Sequence, residues 1–340
     1  MERKKKEVTI YDIAAQLNVS AATVSRALRD DPAVSAPTKK KIFDLAEAHG
    51  YQANLFARNL RQQQTRTIGV IVPRLNSYFM ATVISGIEHL ANEAGYNLLI
   101  SQSSELPEQE NAIVKTMFNN RVDGLLVSLA YPTADLQHFK RFSQKHIPVI
   151  FFDRTLENNI FTNIRIDNQQ AGYDATRHLL ELGRRRILHV SVLHTHNIYR
   201  DRFNGYAQAL QEFHIPLDRN YLYLDDLSLE AGARAARHAL ELPERPDGIF
   251  VANDNCAAGC MMALKKAGIR IPEDIAIVGF NDDPVCQIVE PNLTSVHYPA
   301  YEMGKMAAHH VFRQLAADEA LRTTKVVGLR AELVVRGSSG

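Results

Sequence analysis

The 340-residue sequence contains no tryptophan and only three cysteines, Cys256, Cys260 and Cys286. An odd number of cysteines without regular spacing does not form a disulfide framework and is typical of a reducing compartment. Cys256 and Cys260 lie one helical turn apart, but no nearby cysteine or histidine completes a zinc-binding set. We therefore expect the cysteines to pack in a core or an interface.

Long hydrophobic segments are also absent. No apolar run is long enough to span a bilayer, and no apolar stretch of signal-peptide length follows the basic N-terminus. These two absences predict a cytoplasmic protein without a membrane partner.

Common catalytic signatures are missing as well. No G-x-G-x-x-G follows the first predicted strand, no P-loop occurs, and no Ser–His–Asp set can be justified from the sequence. The thirteen histidines are scattered along the chain. The sequence predicts no enzyme, no metal site and no cofactor.

The charge of +1 is distributed unevenly along the chain. Residues 1–66 carry twelve Lys or Arg against seven Asp or Glu, which gives +5, and the remaining 27 basic and 31 acidic residues give −4. A basic first segment on an acidic body indicates a polyanionic partner for that segment alone. The alternative for the "RKKK" run is a solvated tail.

Short helices are predicted for this basic segment. Apolar residues at positions 10, 13, 14 and 17 follow helical spacing, and Thr9 with Asp12 resembles an N-terminal capping pair. Ser20 can cap a second helix over about 21–28, and Ser35 can cap a third. A fourth helical stretch, "NLFARNLRQQQ", is mostly polar and too short to be stable alone.

The second helix opens with small residues, Ala21, Ala22 and Thr23. A helix without bulk at its leading end can approach the floor of the DNA major groove, where bulky side chains would hold the backbone away. Hydroxyl groups for phosphate contacts come from Ser20, Thr23 and Ser25. Arg26 can reach guanine as a two-pronged donor. A small three-helix domain that binds another partner is the alternative.

From Thr67 onward the sequence alternates between apolar runs and amphipathic stretches of helix length. The runs are "TIGVIVP", "YNLLIS", "VDGLLVS", "IPVIFFD", "RRILHVSV", "DGIFVAND" and "IAIVGFN". Continuous apolar runs are typical of parallel strands that are covered on both faces. The pattern restarts near 160–166 and predicts a doubly wound α/β body built from two similar halves.

The first segment resembles the DNA-binding head of the LacI–GalR family of transcription regulators. The motifs "TIYDIA", "NVS", "ATVSR", "VSAPT" and "GYQAN" stand at the family spacing. The resemblance continues along the body in "RVDGLLVS", "IPVIFFDR", "VANDNCAAG", "GIRIPEDIAIVGFNDDP" and "ELVVRGSS". It covers essentially the whole chain.

This resemblance implies a helix-turn-helix DNA-binding domain over residues 1–66, with a hinge helix at about 54–62. Base-reading positions fall on Ala21, Ala22 and Arg26, and phosphate-contacting positions fall on Thr23 and Ser25. Thr9 and Ser20 are assigned to the same DNA-binding surface. Alanines cannot form hydrogen bonds through their side chains. At Ala21 and Ala22 we therefore expect contact with thymine methyl groups or recognition of DNA shape.

The hinge helix of the family pairs with a second copy over the centre of the operator. Leu60 matches the residue that wedges between the central base steps, and Asn54 and Ala57 match nearby minor-groove contacts. The alternative for Leu60 is a linker leucine that packs on the body.

Residues 67–340 resemble a two-lobed, periplasmic-binding-protein-like domain with parallel sheets. The implied N-lobe covers about 67–166 and 299–327, and the implied C-lobe covers about 167–295 and 328–340. Six positions match effector-binding positions of the family, namely Phe79, Asp153, Arg202, Asn253, Asn281 and Tyr298. Arg154 and Asp254 are candidates for bracing the cleft. Polar side chains beside an aromatic ring suit a carbohydrate effector.

Two of these positions depart from the family pattern. Asn281 stands where an aspartate is usual, and Tyr298 stands where a glutamine is usual before Pro299. The first change removes a strong hydroxyl acceptor, and the second narrows the cleft. A phosphorylated, acidic or nucleoside-like effector is therefore left open.

The sequence predicts a homodimeric repressor that binds a pseudo-palindromic operator under the control of a small-molecule effector. Two alternatives come from other classes of protein. A solute-binding protein for sugar uptake explains the body and leaves the basic segment without a role. A sugar-active enzyme on the same scaffold would turn over its ligand.

Overall fold

The computed structural model describes residues 8–51, 64–156, 160–192, 197–316 and 325–340. The chain divides into two compact units, Met1–Gln63 and Gln64–Gly340. Each unit has its own apolar core.

Three helices form the described part of the first unit. They are α1 (Ile10–Leu17), α2 (Ala21–Ala27) and α3 (Ala36–Ala48). A capping box starts α1: the Thr9 amide donates to Asp12 Oδ2 at 2.8 Å, and the Asp12 amide donates to Thr9 Oγ1 at 3.4 Å. Asn18, in the left-handed region with φ 49°, ends α1 and turns the chain into α2.

Small and branched apolar side chains hold these helices together. The core consists of residues from all three helices and from the loop between α2 and α3, including Ile13, Val24, Ala27, Ile42 and Ala46. Full burial of one isoleucine or valine contributes roughly 1.5–3 kcal/mol. Because Val24 and Ala27 face this core, the opposite side of α2 faces solvent.

Two six-stranded sheets form the second unit. The strands are β1 (Thr67–Val72), β2 (Asn97–Gln102), β3 (Gly124–Val127), β4 (Val149–Phe152), β5 (Thr162–Ile166), β6 (Ile187–Ser191), β7 (Leu222–Leu224), β8 (Gly248–Val251), β9 (Ala276–Asn281), β10 (Thr294–His297), β11 (Val326–Leu329) and β12 (Glu332–Val334). The first sheet has the order β11-β5-β4-β3-β1-β2, and the second has the order β12-β10-β9-β8-β6-β7. The predicted two-lobed α/β architecture is confirmed.

The seven apolar runs of the sequence form β1–β4, β6, β8 and β9. The interior strands β3, β4 and β8 are buried along their whole length, as continuous apolar runs require. The edge strand β2 differs, because its residues are all exposed or half-buried. Strands such as β7 and β12 have three residues each and leave no run that a sequence pattern can detect. The β10–β12 pair is antiparallel, whereas the other described pairs are parallel.

The helices that lie between the strands in sequence pack on the sheets. They are α4 (Tyr78–Glu93), α5 (Pro107–Asn119), α6 (Lys140–Gln144), α7 (Asn168–Glu181), α8 (Asn197–Glu212), α9 (Leu229–Glu241), α10 (Asp254–Lys266), α11 (Val285–Ile288) and α12 (Ala300–Ala316). α7 and α8 approach so closely that a methyl group on Gly172 would overlap the backbone of Arg202. None of the helices in the described ranges is long and apolar enough to cross a membrane.

The three cysteines lie in the interior of the second unit. Cys256 and Cys260 are on α10, Cys286 is on α11, and all three are fully buried and unbonded. They pack in the apolar core of the second sheet, as the sequence predicted. Within the described residues, no group of three His, Cys, Asp or Glu side chains could hold a metal ion.

Candidate ligand cleft and nucleic-acid interface

The predicted recognition helix α2 presents a polar and small-residue face to solvent. Ala22 and Arg26 are exposed, whereas Val24 is buried on the opposite side. Ser20 caps the helix, because its Oγ accepts the Thr23 amide at 3.1 Å. The Ser20 and Thr23 hydroxyls also share a hydrogen bond of 2.8 Å. The short side chains at this end leave the backbone of α2 open to a close approach.

Arg29 is an exposed cation beside this surface that sequence reasoning missed. Its Nε donates to the Ser25 carbonyl at 3.0 Å, and one Nη lies 3.4 Å from Ser25 Oγ. The sequence signal that could have identified Arg29 is its position one helical turn after Ser25. Thr9 is exposed at the start of α1, where its hydroxyl donates to Asp12. The predicted contacts Asn54, Ala57 and Leu60 lie outside the described residues.

A cavity of about 880 Å³ lies between the two sheets of the second unit. All six predicted effector-binding residues line it, namely Phe79, Asp153, Arg202, Asn253, Asn281 and Tyr298. Asp153 and Asn253 follow the carboxyl ends of β4 and β8, and Asn281 ends β9. Ligands of parallel α/β sheets bind at this end of the strands. The location and the size both fit a small-molecule site.

Asp153 and Tyr298 form a buried pair in this cavity. The Tyr298 hydroxyl donates to Asp153 Oδ1 at 2.9 Å, although 145 residues separate the two in sequence. Burial raises the pKa of Asp153, while the nearby arginine Arg154 and the Tyr298 hydrogen bond oppose the shift. The Tyr298 ring lies 4.5 Å from the Phe79 ring and 6.2 Å from the Phe280 ring, measured between centroids. Tyr298 therefore fills space at the junction of the two sheets.

Arg202 reaches the cavity from α8 and is held by uncharged partners. Its Nε donates to Asn168 Oδ1 and its Nη1 donates to the Ala252 carbonyl, both at 2.9 Å. The guanidinium lies 3.4 Å from the centroid of the Phe280 ring. Burial lowers the pKa of Arg202 from its usual value. The close α7–α8 contact at Gly172 fixes the backbone that carries this side chain.

Arg154 lines the cavity and pairs with Glu105 through one guanidinium nitrogen. The Arg154 Nη1 lies 2.9 and 2.8 Å from the two Glu105 oxygens. Glu105 also accepts the Tyr131 amide at 2.9 Å, so one carboxylate orients two elements of the cavity wall. Sequence reasoning assigned a bracing role to Arg154 without identifying this partner.

Asp254 lies behind the cavity wall. Its oxygens accept the Ser295 hydroxyl at 2.6 Å and the Asp283 amide at 2.8 Å. Burial and the neighbouring Asp254 raise the pKa of Asp283, which does line the cavity, to about 7. Asn253 caps α10 through its Oδ1, which accepts the Cys256 amide at 3.2 Å.

Several other lining residues escaped the sequence reasoning, among them Glu105, Tyr131, Tyr199, Asp225 and Asp283. Three of them, Glu105, Asp225 and Asp283, follow the ends of β2, β7 and β9 within three residues. Polar residues at the carboxyl ends of parallel strands were a usable signal. Tyr131 and Tyr199 face each other from the two sides of the cavity with ring centroids 6.3 Å apart, which depends on the fold.

Comparison with known proteins supports both units. The family model for bacterial regulatory proteins of the lacI family matches residues 9–54, and the model for periplasmic binding protein-like domains matches residues 176–339. Catabolite control protein A from Priestia megaterium is 33% identical over 301 residues, covering 88% of this chain and 90% of that protein. The transcriptional repressor CytR from Escherichia coli K12 is 31% identical over 342 residues, covering 100% and 99%.

The fold is similar to that of the transcriptional regulator CelR, which has been solved as a complex with cellobiose. The match has a TM-score of 0.73 and 25% sequence identity, and it covers 97% of this chain and 99% of that chain. These matches define a bacterial DNA-binding transcription regulator with a periplasmic-binding-protein-like domain. The chain belongs to the lacI family of bacterial regulatory proteins. Its function is transcription regulation through DNA and not catalysis.

Proposed function

We propose that the protein binds an inverted-repeat operator as a homodimer, represses transcription from it, and changes its operator affinity when a small molecule occupies the cleft. Two copies related by a two-fold axis require inverted half-sites. The observation that carries the proposal is the cavity of about 880 Å³, in a chain that also carries a DNA-binding unit. Because the protein acts on DNA, we assign it to the cytoplasm.

On the DNA side, Ala21, Ala22 and Arg26 read base edges and Thr23 and Ser25 contact phosphates. Thr9 and Ser20 contribute to the same surface, and Asn54, Ala57 and Leu60 contact the minor groove at the operator centre. The exposed positions of Ala22 and Arg26 on α2 support this assignment.

On the ligand side, the N-lobe is about 67–166 with 299–327, and the C-lobe is about 167–295 with 328–340. A carbohydrate effector binds between them to the six lining residues Phe79, Asp153, Arg202, Asn253, Asn281 and Tyr298. Ligand shifts the lobes only by its different affinity for their two arrangements. The cellobiose in the related CelR complex supports the ligand class.

Selection of short duplexes from random DNA, with and without a panel of sugars at one salt concentration, tests the proposal. Salt is held constant because operator affinity falls by about 0.9 log unit per log unit of salt for each neutralised phosphate. We expect an inverted repeat whose affinity changes with one ligand. Absence of any enriched sequence would contradict the recognition-helix assignment.

Two substitutions separate the DNA and ligand roles. Arg26→Ala should weaken operator binding by about 1–3 kcal/mol and relax the base preference at one position of each half-site. Arg202→Ala should abolish the response to ligand, because a buried guanidinium in the cavity wall is lost. Arg177→Ala is the matched control, since Arg177 is an exposed residue of α7 paired with Glu181.

Any turnover of the ligand by the unmodified protein would favour the sugar-active enzyme.

A further inference from the structure

The charged side chains of the cavity wall limit what the cleft can bind. The charged residues of the described wall are three arginines and five carboxylates, with no lysine or histidine: Arg74, Arg154, Arg202, Glu105, Asp153, Asp225, Asp226 and Asp283. With all five carboxylates ionised, the formal sum of these side chains is −2. The raised pKa values of Asp283, about 7, and of Asp153 reduce this negative charge at neutral pH. Whether the cleft attracts an anion depends on how far the three guanidinium groups are already engaged.

Two of the three arginines are committed to the protein. Arg154 donates from Nη1 to both oxygens of Glu105, and Arg202 is buried with hydrogen bonds to Asn168 and Ala252. Arg74 stands at the rim with 59% of its side chain exposed and its Nε 3.7 Å from the same Glu105. An arriving anion would compete with a carboxylate at both Arg74 and Arg154.

The N-termini of α4, α8, α9 and α10 also border the cavity and would attract negative charge. Those of α9 and α10 already have carboxylates beside them: Asp226 accepts the Ser228 amide at 2.9 Å, and Asp254 lies in the first turn of α10. The N-terminus of α4 is capped by the hydroxyl of Ser77. The half charge of the α9 end is smaller than the whole charge of Asp226 beside it, whereas burial raises the pKa of Asp254 beside the α10 end.

Aromatic rings line both sides of the same space. Phe79 and Tyr131 come from the first sheet's side, Tyr199 comes from the second sheet's side, and Tyr298 lies at the junction. Ring faces pack against the apolar faces of sugars and heterocycles, while carboxylates accept hydroxyl hydrogens. A volume of about 880 Å³ is near the upper end for small-molecule sites and gives room for more than one ring.

We infer that the effector is an uncharged glycoside, a sugar ring linked to a second ring, and that phosphorylated or carboxylated sugars are rejected. The inference rests on the proposed function, because it takes the cleft to be the effector site. Disaccharides and nucleosides share this chemistry. Rejection of anions follows from the excess of carboxylates over arginines in the wall and from Glu105, which already pairs with Arg154 and lies beside Arg74. Arg202, the third arginine, is held by the Asn168 side chain and the Ala252 carbonyl.

A reporter inside the cleft can test the charge directly, because the chain has no tryptophan of its own. Tyr131→Trp and Tyr199→Trp each place a single tryptophan in the cavity wall, on opposite sides. Tyr78→Trp is the matched control, since Tyr78 is 54% exposed and precedes the lining residue Phe79. Fluorescence quenching by iodide, caesium and neutral acrylamide is measured for each variant at one ionic strength.

We expect the ratio of iodide to acrylamide quenching to be at least about twofold lower in the cleft than at the control position. The ratio of caesium to acrylamide quenching should instead be higher in the cleft than at the control position. Glu105→Gln in the same background should raise iodide quenching, because it removes a charge and releases Arg154. Iodide quenching in the cleft that equals or exceeds the control would overturn the inference.

The same tryptophans report binding of matched ligands. Neutral disaccharides are compared with their uronate and phosphate derivatives, and nucleosides with their 5′-monophosphates. Each anionic member should bind at least about tenfold more weakly than its neutral counterpart. The reason is that placing a second negative charge near a carboxylate costs about as much free energy as a tenfold change in affinity represents. An anion that binds as tightly as its neutral counterpart would overturn the inference. A neutral glycoside that binds but leaves operator affinity unchanged would contradict the proposed function instead and leave the ligand class intact.

Discussion

Asp283 is a buried carboxyl group whose pKa is raised to about 7 by burial and by Asp254. An unfolded aspartate releases its proton near pH 4. Between about pH 4 and 7 the folded protein therefore binds more protons than the unfolded chain, and its stability falls as the pH rises. We expect Asp283→Asn to remove a decline of about 1 kcal/mol per pH unit across this window, measured by urea unfolding at several pH values.

Asp274→Asn provides the control for this pH dependence. A hydrogen bond from Arg270 lowers the pKa of Asp274 to about 2, so its contribution is complete above about pH 5 and is lost progressively as the pH falls toward 2. The stability difference between this variant and the unmodified protein should be constant from about pH 5 to 7. A constant difference for Asp283→Asn as well would show that Asp283 is ionised throughout.

The contact between helices α7 and α8 connects the packing of the second unit to its cleft. Gly172 lies against the backbone of Arg202, and a side chain there would force the two helices apart. Gly172→Ala should lower the free energy of unfolding by about 1–3 kcal/mol and weaken ligand binding, because Arg202 moves with α8. Urea unfolding and ligand titration measure the two effects.

Gly328→Ala is the matched control, since an added methyl group meets no atom within 4 Å at that position on β11. We expect its stability to stay within about 0.5 kcal/mol of the unmodified protein, with no loss of ligand affinity. Equal effects from the two substitutions would contradict the packing argument.

The complete protein, as a proposed dimer, should bind its operator through two linked heads. Disrupting one half-site should then lower affinity by about 10²-fold or more, because the second head loses the benefit of linkage to the first. Titration of intact and half-disrupted duplexes at one salt concentration measures this. An equal affinity for both duplexes would indicate that each copy binds alone.

Much of the architecture followed from local patterns. The interior strands β3, β4 and β8 are buried on both faces and read as continuous apolar runs, and the caps at Thr9 and Ser20 mark the starts of α1 and α2. Such signals lie within a few residues of one another, so a sequence window contains them. The short strands β7 and β12 lack this signal, because their position depends on pairing with neighbouring strands and not on their own composition.

The candidate site divides in the same way. Motifs pointed to six residues that line one cavity. Asp153, Asn253, Asn281 and Tyr298 lie at or just after the end of a strand, whereas Phe79 and Arg202 lie on helices α4 and α8. The pairing of Tyr298 with Asp153, the engagement of Arg154 by Glu105 and the facing of Tyr131 and Tyr199 could not be predicted. These contacts join residues 145, 49 and 68 positions apart. The first and third form because the chain crosses between two sheets, and the second forms because β2 and β4 end at the same edge of the first sheet. The charge that a ligand would meet depends on those pairings, so the sequence indicates the residue types of the candidate site, and the tertiary contacts decide the selectivity that we propose for it.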